Sequence, residues 1–229
     1  FWQACELYVP ERKGSSASFG PFWDPEEPAL HPLGSLMQGK ELAAALAADI
    51  ETLNRLQGNG RLASPAFKPS YAALVEAGGW ERLVLYSGIG GWDQRWCGPA
   101  ASPRLRLCDE LAGRLPGEED QLQTYYLLDN NEEVSLSRLL APKTHLRPHN
   151  GGTNARMNFD LVLGAGKTSV RVGWQRRSVS AGGDLLVYDA CYDREITHEG
   201  DRPLYILQVG AMHPNFLLDI QARRARGEL

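Results

Sequence analysis

The sequence predicts a mainly β domain, a barrel or jelly roll with flanking helices bracing one sheet. Three observations carry this. From Gln121 the chain holds eight or so short strand-like stretches at close spacing, at 121–128, 134–140, 144–149, 155–163, 169–174, 184–188, 192–197 and 204–210. Turn chemistry separates them, as in Asp129-Asn130-Asn131, Gly164-Ala165-Gly166 and Ala181-Gly182-Gly183. Ahead of them, residues 40–115 carry helical patterns.

In order, residues 1–34 place Pro10, Pro21, Pro25, Pro28 and Pro32 among Trp2, Phe19, Phe22 and Trp23. Prolines oppose helix and favour an extended arm laid on a surface. Its aromatics either pack on their own domain or are offered to other protein subunits, in which case Trp2, Phe19, Phe22 and Trp23 are the anchors. Residues 35–229 form the second region, with helices over 35–115, the barrel over 121–212 and a tail over 213–229. From Lys40 to Leu56, Leu42, Leu46, Ile50 and Leu53 recur at helical spacing on an alanine-rich background, and Gly58-Asn59-Gly60 stops the helix. A shorter helix is expected over Ser70–Ala77, ended by Gly78-Gly79, then a strand over Trp80–Tyr86. The glycine run Ser87-Gly88-Ile89-Gly90-Gly91 lacks the lysine and the helix start of a phosphate-binding loop and reads as a turn. Trp92 and Trp96 precede a helix with Ser102 as cap and Pro103 in its first turn, running to about Leu115.

A chain of 229 residues suffices for one large domain that buries about 70% of the surface exposed when unfolded. Its 24 basic and 28 acidic side chains are interspersed and net −4, which gives no electrostatic footprint for nucleic acid or an acidic membrane. Arg223-Arg224-Ala225-Arg226 reads as a helix end or solvated tail. Cys5, Cys97, Cys108 and Cys191 fit neither a zinc pattern nor a dense disulfide framework, so free thiols are expected. No apolar run is long enough to span a membrane, and no Asn-x-Ser/Thr acceptor occurs. The start at Phe1 suggests a processed or trimmed precursor, and the compartment is not legible.

The chemistry-bearing stretch is Leu139 to Leu163. Two strands meet there at a polar corner, with His149 beside the turn Asn150-Gly151-Gly152. A histidine at such a close backbone approach suits a metal ligand in a barrel mouth; the plainer alternative is a surface turn histidine. The segment His145-Leu-Arg-Pro-His149-Asn-Gly151-Gly-Thr153-Asn154-Ala-Arg156 resembles the signature of the aspartyl/asparaginyl β-hydroxylase family. A second block agrees, from Gly183-Asp-Leu-Leu-Val-Tyr-Asp189 through Arg202-Pro203-Leu204 to His213-Pro214, so the resemblance covers roughly residues 80–220. It implies a double-stranded β-helix (jelly roll, cupin-like) that uses iron(II) and 2-oxoglutarate, with two histidine ligands and no carboxylate ligand.

Carried over residue by residue, the resemblance implies a changed site. His149 takes the first ligand position, but the second falls on Arg194, whose guanidinium stays protonated and has no lone pair to give a metal. His198 lies four residues further on, some 13 Å away at about 3.3 Å per residue. The positions implied for the oxoacid are also altered, to Leu204, Arg138, Asn158 and Asp160. Asn158 and Asp160, two apart, share a strand face. A buried arginine needs an anion, so Arg194 is expected to pair with Asp160; alternatively Arg138 and Arg194 hold a small carboxylate or phosphate, or one of them faces solvent. Three functions follow: a non-catalytic scaffold or interaction subunit with no cofactor; an active Asp/Asn-hydroxylating oxygenase with iron(II) on His149 plus Asp160 or Asp193; or a small-anion binding module.

Overall fold

The computed structural model describes residues 21–27, 30, 33–60, 62, 65–87, 90–112, 133–151, 156–164, 166–179 and 183–213, with 222 and 225–227. The expected strand at 121–128 and the anchors Trp2 and Phe19 lie outside the described residues. Two antiparallel sheets face each other as an open sandwich, not a closed ring. The larger contains β1 (Phe22–Trp23), β2 (Lys68–Pro69), β4 (Trp80–Ser87), β5 (Gly91–Trp92), β6 (Glu133–Leu139), β8 (Arg156–Leu163), β11 (Asp184–Asp189) and β13 (Leu204–Met212). Its order is β1-β11-β8-β13-β6-β4-β2, with β5 also on β4. The smaller contains β3 (Val75–Ala77), β7 (Thr144–His149), β9 (Lys167–Val172), β10 (Gln175–Val179) and β12 (Arg194–Glu199), in the order β10-β9-β12-β7-β3.

Period-two alternation sorts the larger sheet's side chains between two cores. Leu83, Leu85, Val134, Leu136, Phe159, Leu161 and Leu207 face the helices α1 (Leu33–Met37), α2 (Lys40–Gly58) and α3 (Arg106–Ala112). Leu139, Val162, Leu204 and Ile206 face the smaller sheet's Leu146, Val170 and Ile196. The helix expected over residues 40–56 is present, with Leu42, Leu46 and Leu53 buried. Asp49 on the same face is buried because its carboxylate accepts the backbone N–H groups of Arg106 (3.0 Å) and Leu107 (2.8 Å). It thereby satisfies two of the donors that a helix start leaves unpaired. This corrects the expected Ser102 cap: α3 begins at Arg106, and its cap comes from 57 residues earlier.

The expected helix at 70–77 is replaced by a single 3₁₀ turn, Ala72–Leu74, and by β3, whose Val75 and Ala77 pair with Leu146 and His145. Sheet pairing overrides a weak helix propensity there. The region 35–115 is therefore not wholly helical; β2 to β5 lie within it. β10 was not anticipated; it folds back on β9 through Gly173-Trp174, where Gly173 has φ 54°. The expectation of free thiols is overturned: the backbone bond Leu105 N–H to Trp96 O (3.0 Å) folds the intervening loop back, and Cys97 and Cys108 form a disulfide. Cys191 is disulfide-bonded as well.

Of the two readings of the arm's aromatics, packing on their own domain or anchoring a partner, Phe22 and Trp23 take the first, buried in their own domain at 4% and 5% exposure. As β1 they extend the larger sheet, with Phe22 opposite Tyr188 and Trp23 opposite Val187. Phe22 meets the Tyr188 ring edge-on at 6.1 Å, and Trp23 Nε1 donates to Asp189 Oδ1 at 3.1 Å. Two apolar rings beside an unpaired strand edge are better buried on it than left in water.

Candidate functional site

Buried polar side chains gather at one end of the space between the sheets. At the polar end β7 and β12 pair so that His149 and Arg194 are cross-strand partners, and the register slips just beyond, between Arg194 and Ile196. Opposite them, β8 presents Asn158 and Asp160, β11 Tyr188 and β13 Gln208, with Tyr188 paired to Asn158 and Gln208 to Asp160. Gly151, just after His149, hydrogen-bonds Ala190 through its N–H at 2.7 Å; a Cβ there would press on Ala190 at 3.1 Å. Glycine thus permits the close approach that closes this corner.

Arg194 lies at the centre. Its Nη1 donates to Asp160 Oδ2 at 2.8 Å and to the Tyr188 hydroxyl, and its Nη2 is 3.3 Å from His149 Nε2. The Tyr188 hydroxyl donates to Asp160 Oδ2 at 2.7 Å, and Gln208 Nε2 donates to Oδ1 at 2.8 Å. The carboxylate thus accepts three hydrogen bonds in a nearly water-free place, since the Arg194 and Asp160 side chains are only 11% and 2% exposed. Burial disfavours the Arg194 charge, but Tyr188 and Asp160 outweigh it and hold the guanidinium above its ordinary value. Burial pushes the Tyr188 phenol up, so it stays a donor.

His149 is fixed as a neutral ring. Its Nδ1 lies 2.7 Å from the Arg147 carbonyl, which can only accept, so Nδ1 carries the proton and Nε2 offers its lone pair to Arg194. Burial and then the Arg194 charge lower its pKa to about 4. Trp80 lies against its ring, tilted by 39° with centroids 5.7 Å apart, and donates from Nε1 to Ser137 Oγ at 3.2 Å. Further out, Arg82 donates to Ser135 Oγ at 3.2 Å, and Arg156 Nε donates to Asn158 Oδ1 at 3.0 Å. The Arg156 guanidinium lies where any side chain at Gly210 would be.

His149, Asn158, Asp160 and Arg194 are therefore brought together. Arg138 is not. It points to the opposite face of the larger sheet, where Nε donates to Glu81 Oε2 at 2.8 Å and the guanidinium lies 4.5 Å over Phe67. The alternation on β6 turns Ser135, Ser137 and Leu139 inward and Arg138 outward, so Ser137 holds the inward place that had been assigned to Arg138. The Asp193 carboxylate is held by Asn150 Nδ2 at 2.8 Å. His198 is buried, its ring held between Thr168 Oγ1 and the Arg202 carbonyl, each at 2.8 Å. Tyr188, Gln208, Trp80, Arg82 and Ser137 were not singled out from sequence. The signal was present as alternation, since Tyr188 follows Leu186 and Gln208 follows Ile206 on the inward face.

The fold and this polar end define a double-stranded β-helix domain with its centre at the strand ends. The chain belongs to the Aspartyl/Asparaginyl beta-hydroxylase family, whose sequence profile matches residues 51–214. Comparison with curated proteins gave no match. Among solved structures, the chain is similar to a Pseudomonas putida prolyl-4-hydroxylase, at 17% identity over 78% of this chain and 89% of that one, with a TM-score of 0.48. It is also similar to a cupin-2 domain from Rhodospirillum rubrum (14%, 66% and 72%, TM-score 0.36). A third is the Schizosaccharomyces pombe Cnp3 cupin domain (12%, 41% and 59%, TM-score 0.33).

The side chains at the centre do not fit the iron(II) site that the resemblance implies. The inward nitrogen of His149 is engaged by Arg194, and Asp160 is engaged by Arg194, Tyr188 and Gln208. Among the described residues no three His, Cys, Asp or Glu side chains converge as a metal-binding group, and no helix is long and apolar enough to cross a membrane.

Proposed function

We propose that this chain is a non-catalytic member of its family, serving as a scaffold or interaction subunit of a larger assembly. One observation carries the reading: the Arg194 guanidinium sits between His149 and Asp160, where it makes a charge-assisted pair and takes the imidazole lone pair. A guanidinium has no lone pair for a metal and no position to open for a second substrate, so the centre has a structural role. On this reading the protein needs neither iron(II) nor 2-oxoglutarate, and its partners are other proteins. The segment before Phe22, with Trp2 and Phe19, is the stretch proposed to reach them.

Metal analysis of the protein purified in iron(II), combined with a succinate-release assay on 2-oxoglutarate, tests this. The expected result is substoichiometric iron and no succinate above background. Stoichiometric iron, or succinate release lost in His149→Ala, would overturn the proposal in favour of an active oxygenase.

A further inference from the structure

A second site lies at the edge of the larger sheet. On its outer edge β4 is paired with β2 at Glu81 and Arg82 and with β5 at Tyr86 and Ser87. Beside this edge is a groove of about 410 Å³ lined by Lys68, Tyr71, Arg82, Val84, Arg95 and Trp96, among others. Three features converge on it.

The first is charge. Lys68, Arg82 and Arg95 line the groove against one lining carboxylate, Asp93, whose Oδ1 accepts the backbone N–H of Arg95 at 2.7 Å. The second is aromatic surface: the Arg82 guanidinium lies 5.9 Å from the Tyr71 ring and 5.8 Å from Trp80, and Arg95 lies 4.6 Å over Trp96. The third is exposure. Among the described residues the large hydrophobic side chains left exposed are Tyr71, Val84 and Trp174, and the first two open on this groove. Tyr71 is 64% exposed and has φ 26° and ψ 66°, the only positive φ outside glycine among the described residues. Chains rarely hold a bulky residue in that conformation merely to wet it. Trp80 lies against Tyr71, tilted by 40° with centroids 5.7 Å apart, and supports it from the protein side.

We propose that this groove binds an aromatic ring bearing an oxyanion, of the aryl phosphate class. The ring stacks on the exposed surface of Tyr71, and the anion is met by the lining cations, Lys68, Arg82 and Arg95. The groove adjoins the His149–Arg194 centre, since Trp80 contacts both Tyr71 and His149 and Arg82 donates to the inward-facing Ser135, but binding there does not depend on whether that centre is catalytic.

Calorimetric titration at low ionic strength with phenyl phosphate, inorganic phosphate and phenol tests it. Phenyl phosphate should bind about tenfold tighter than either fragment, because stacking and charge act together. Tyr71→Ala should reduce its affinity to that of inorganic phosphate, and Lys68→Gln and Arg95→Gln should each weaken it about threefold or more, with added salt doing the same. Trp174→Ala, at an exposed aromatic elsewhere, should leave affinity unchanged. Adenosine monophosphate and a phosphotyrosyl tripeptide carry the same chemistry on a nucleoside and on a peptide; whichever binds tighter, with Tyr71 required, identifies the source. Absence of saturable binding, equal affinity for inorganic phosphate, or affinity unaltered in Tyr71→Ala and Lys68→Gln proteins that melt like the parent would each overturn the proposal.

Discussion

Replacing Asp160 with alanine probes the centre most directly. Asp160 is 1% exposed, and its carboxylate accepts from Arg194, Tyr188 and Gln208. Its removal leaves the nearly buried Arg194 charge facing a phenol and a neutral imidazole, with Arg82 and Arg156 close enough for their charges to act on one another. Breaking a buried pair from one side costs about 3–5 kcal/mol, a large part of the roughly 5–15 kcal/mol available to a domain. In a chain of this size that lowers the melting temperature by about 6–20 °C. Arg194→Met should cost less, about 1–3 kcal/mol, because Asp160 keeps two donors. The double variant Asp160→Ala/Arg194→Met should lie near Arg194→Met, giving a coupling energy of about 3–5 kcal/mol. Urea denaturation of the four proteins at pH 7.5 supplies the cycle. A loss below about 1 kcal/mol in Asp160→Ala, or additive single losses, would refute a buried, mutually compensating pair.

Three further outcomes are expected. The folded pKa of His149, about 4, lies below the ordinary 6.5, so the unfolded chain binds the extra proton; this contribution is full above pH 6.5 and falls by up to about 3 kcal/mol as the pH drops toward 4. Urea midpoints at pH 7.5 and 4.5 should show that part of the loss missing in His149→Gln. Asp49→Ala removes the carboxylate that accepts both backbone N–H groups at the start of α3 and should cost about 1–2 kcal/mol, read as a lower urea midpoint. Phe22→Ala should lower stability by about 3–5 kcal/mol; an unchanged melting temperature together with lost partner association would return Phe22 to the role of a partner anchor.

The strands from β6 to β13 were largely legible because each alternates apolar with polar positions between turn residues. The pairing of Arg194 with Asp160 was legible too, since a buried guanidinium needs an anion and Asp160 shares its strand face with Asn158. Arg138 was misread because facing on a strand is decided by parity, and a slip of one residue carries a side chain through the sheet. Glu81 and Phe67, which receive it, lie 57 and 71 residues earlier. Capping of α3 by Asp49 and the Cys97–Cys108 bond depend on how distant segments and loops fold onto one another, and no local pattern records that. Tyr188 and Gln208 sat in recognised strands, but only the register between β11, β8 and β13 shows that they meet at Asp160.

The proposed role of Arg194 can be inverted by substitution. His149 and Arg194 are cross-strand partners, a relation that sets Cβ atoms about 4.5–5.5 Å apart and lets two imidazoles reach one ion. In the present sequence the His149 lone pair is spent on a guanidinium N–H, and the tautomer that exposes it is already fixed by the Arg147 carbonyl. Arg194→His removes the plug, supplies a second imidazole and leaves Asp160 as a nearby carboxylate, a donor set suited to first-row divalent ions. Titration with cobalt(II), followed by its visible absorption, should show one saturable site in Arg194→His, lost again on adding His149→Ala, and none in the parent. Arg194→Gln separates removal of the charge from gain of a ligand, and should bind at least tenfold more weakly than Arg194→His. If the parent binds cobalt(II) as well as Arg194→His does, the guanidinium does not exclude a metal, and the reading of this centre as a structural ion pair fails.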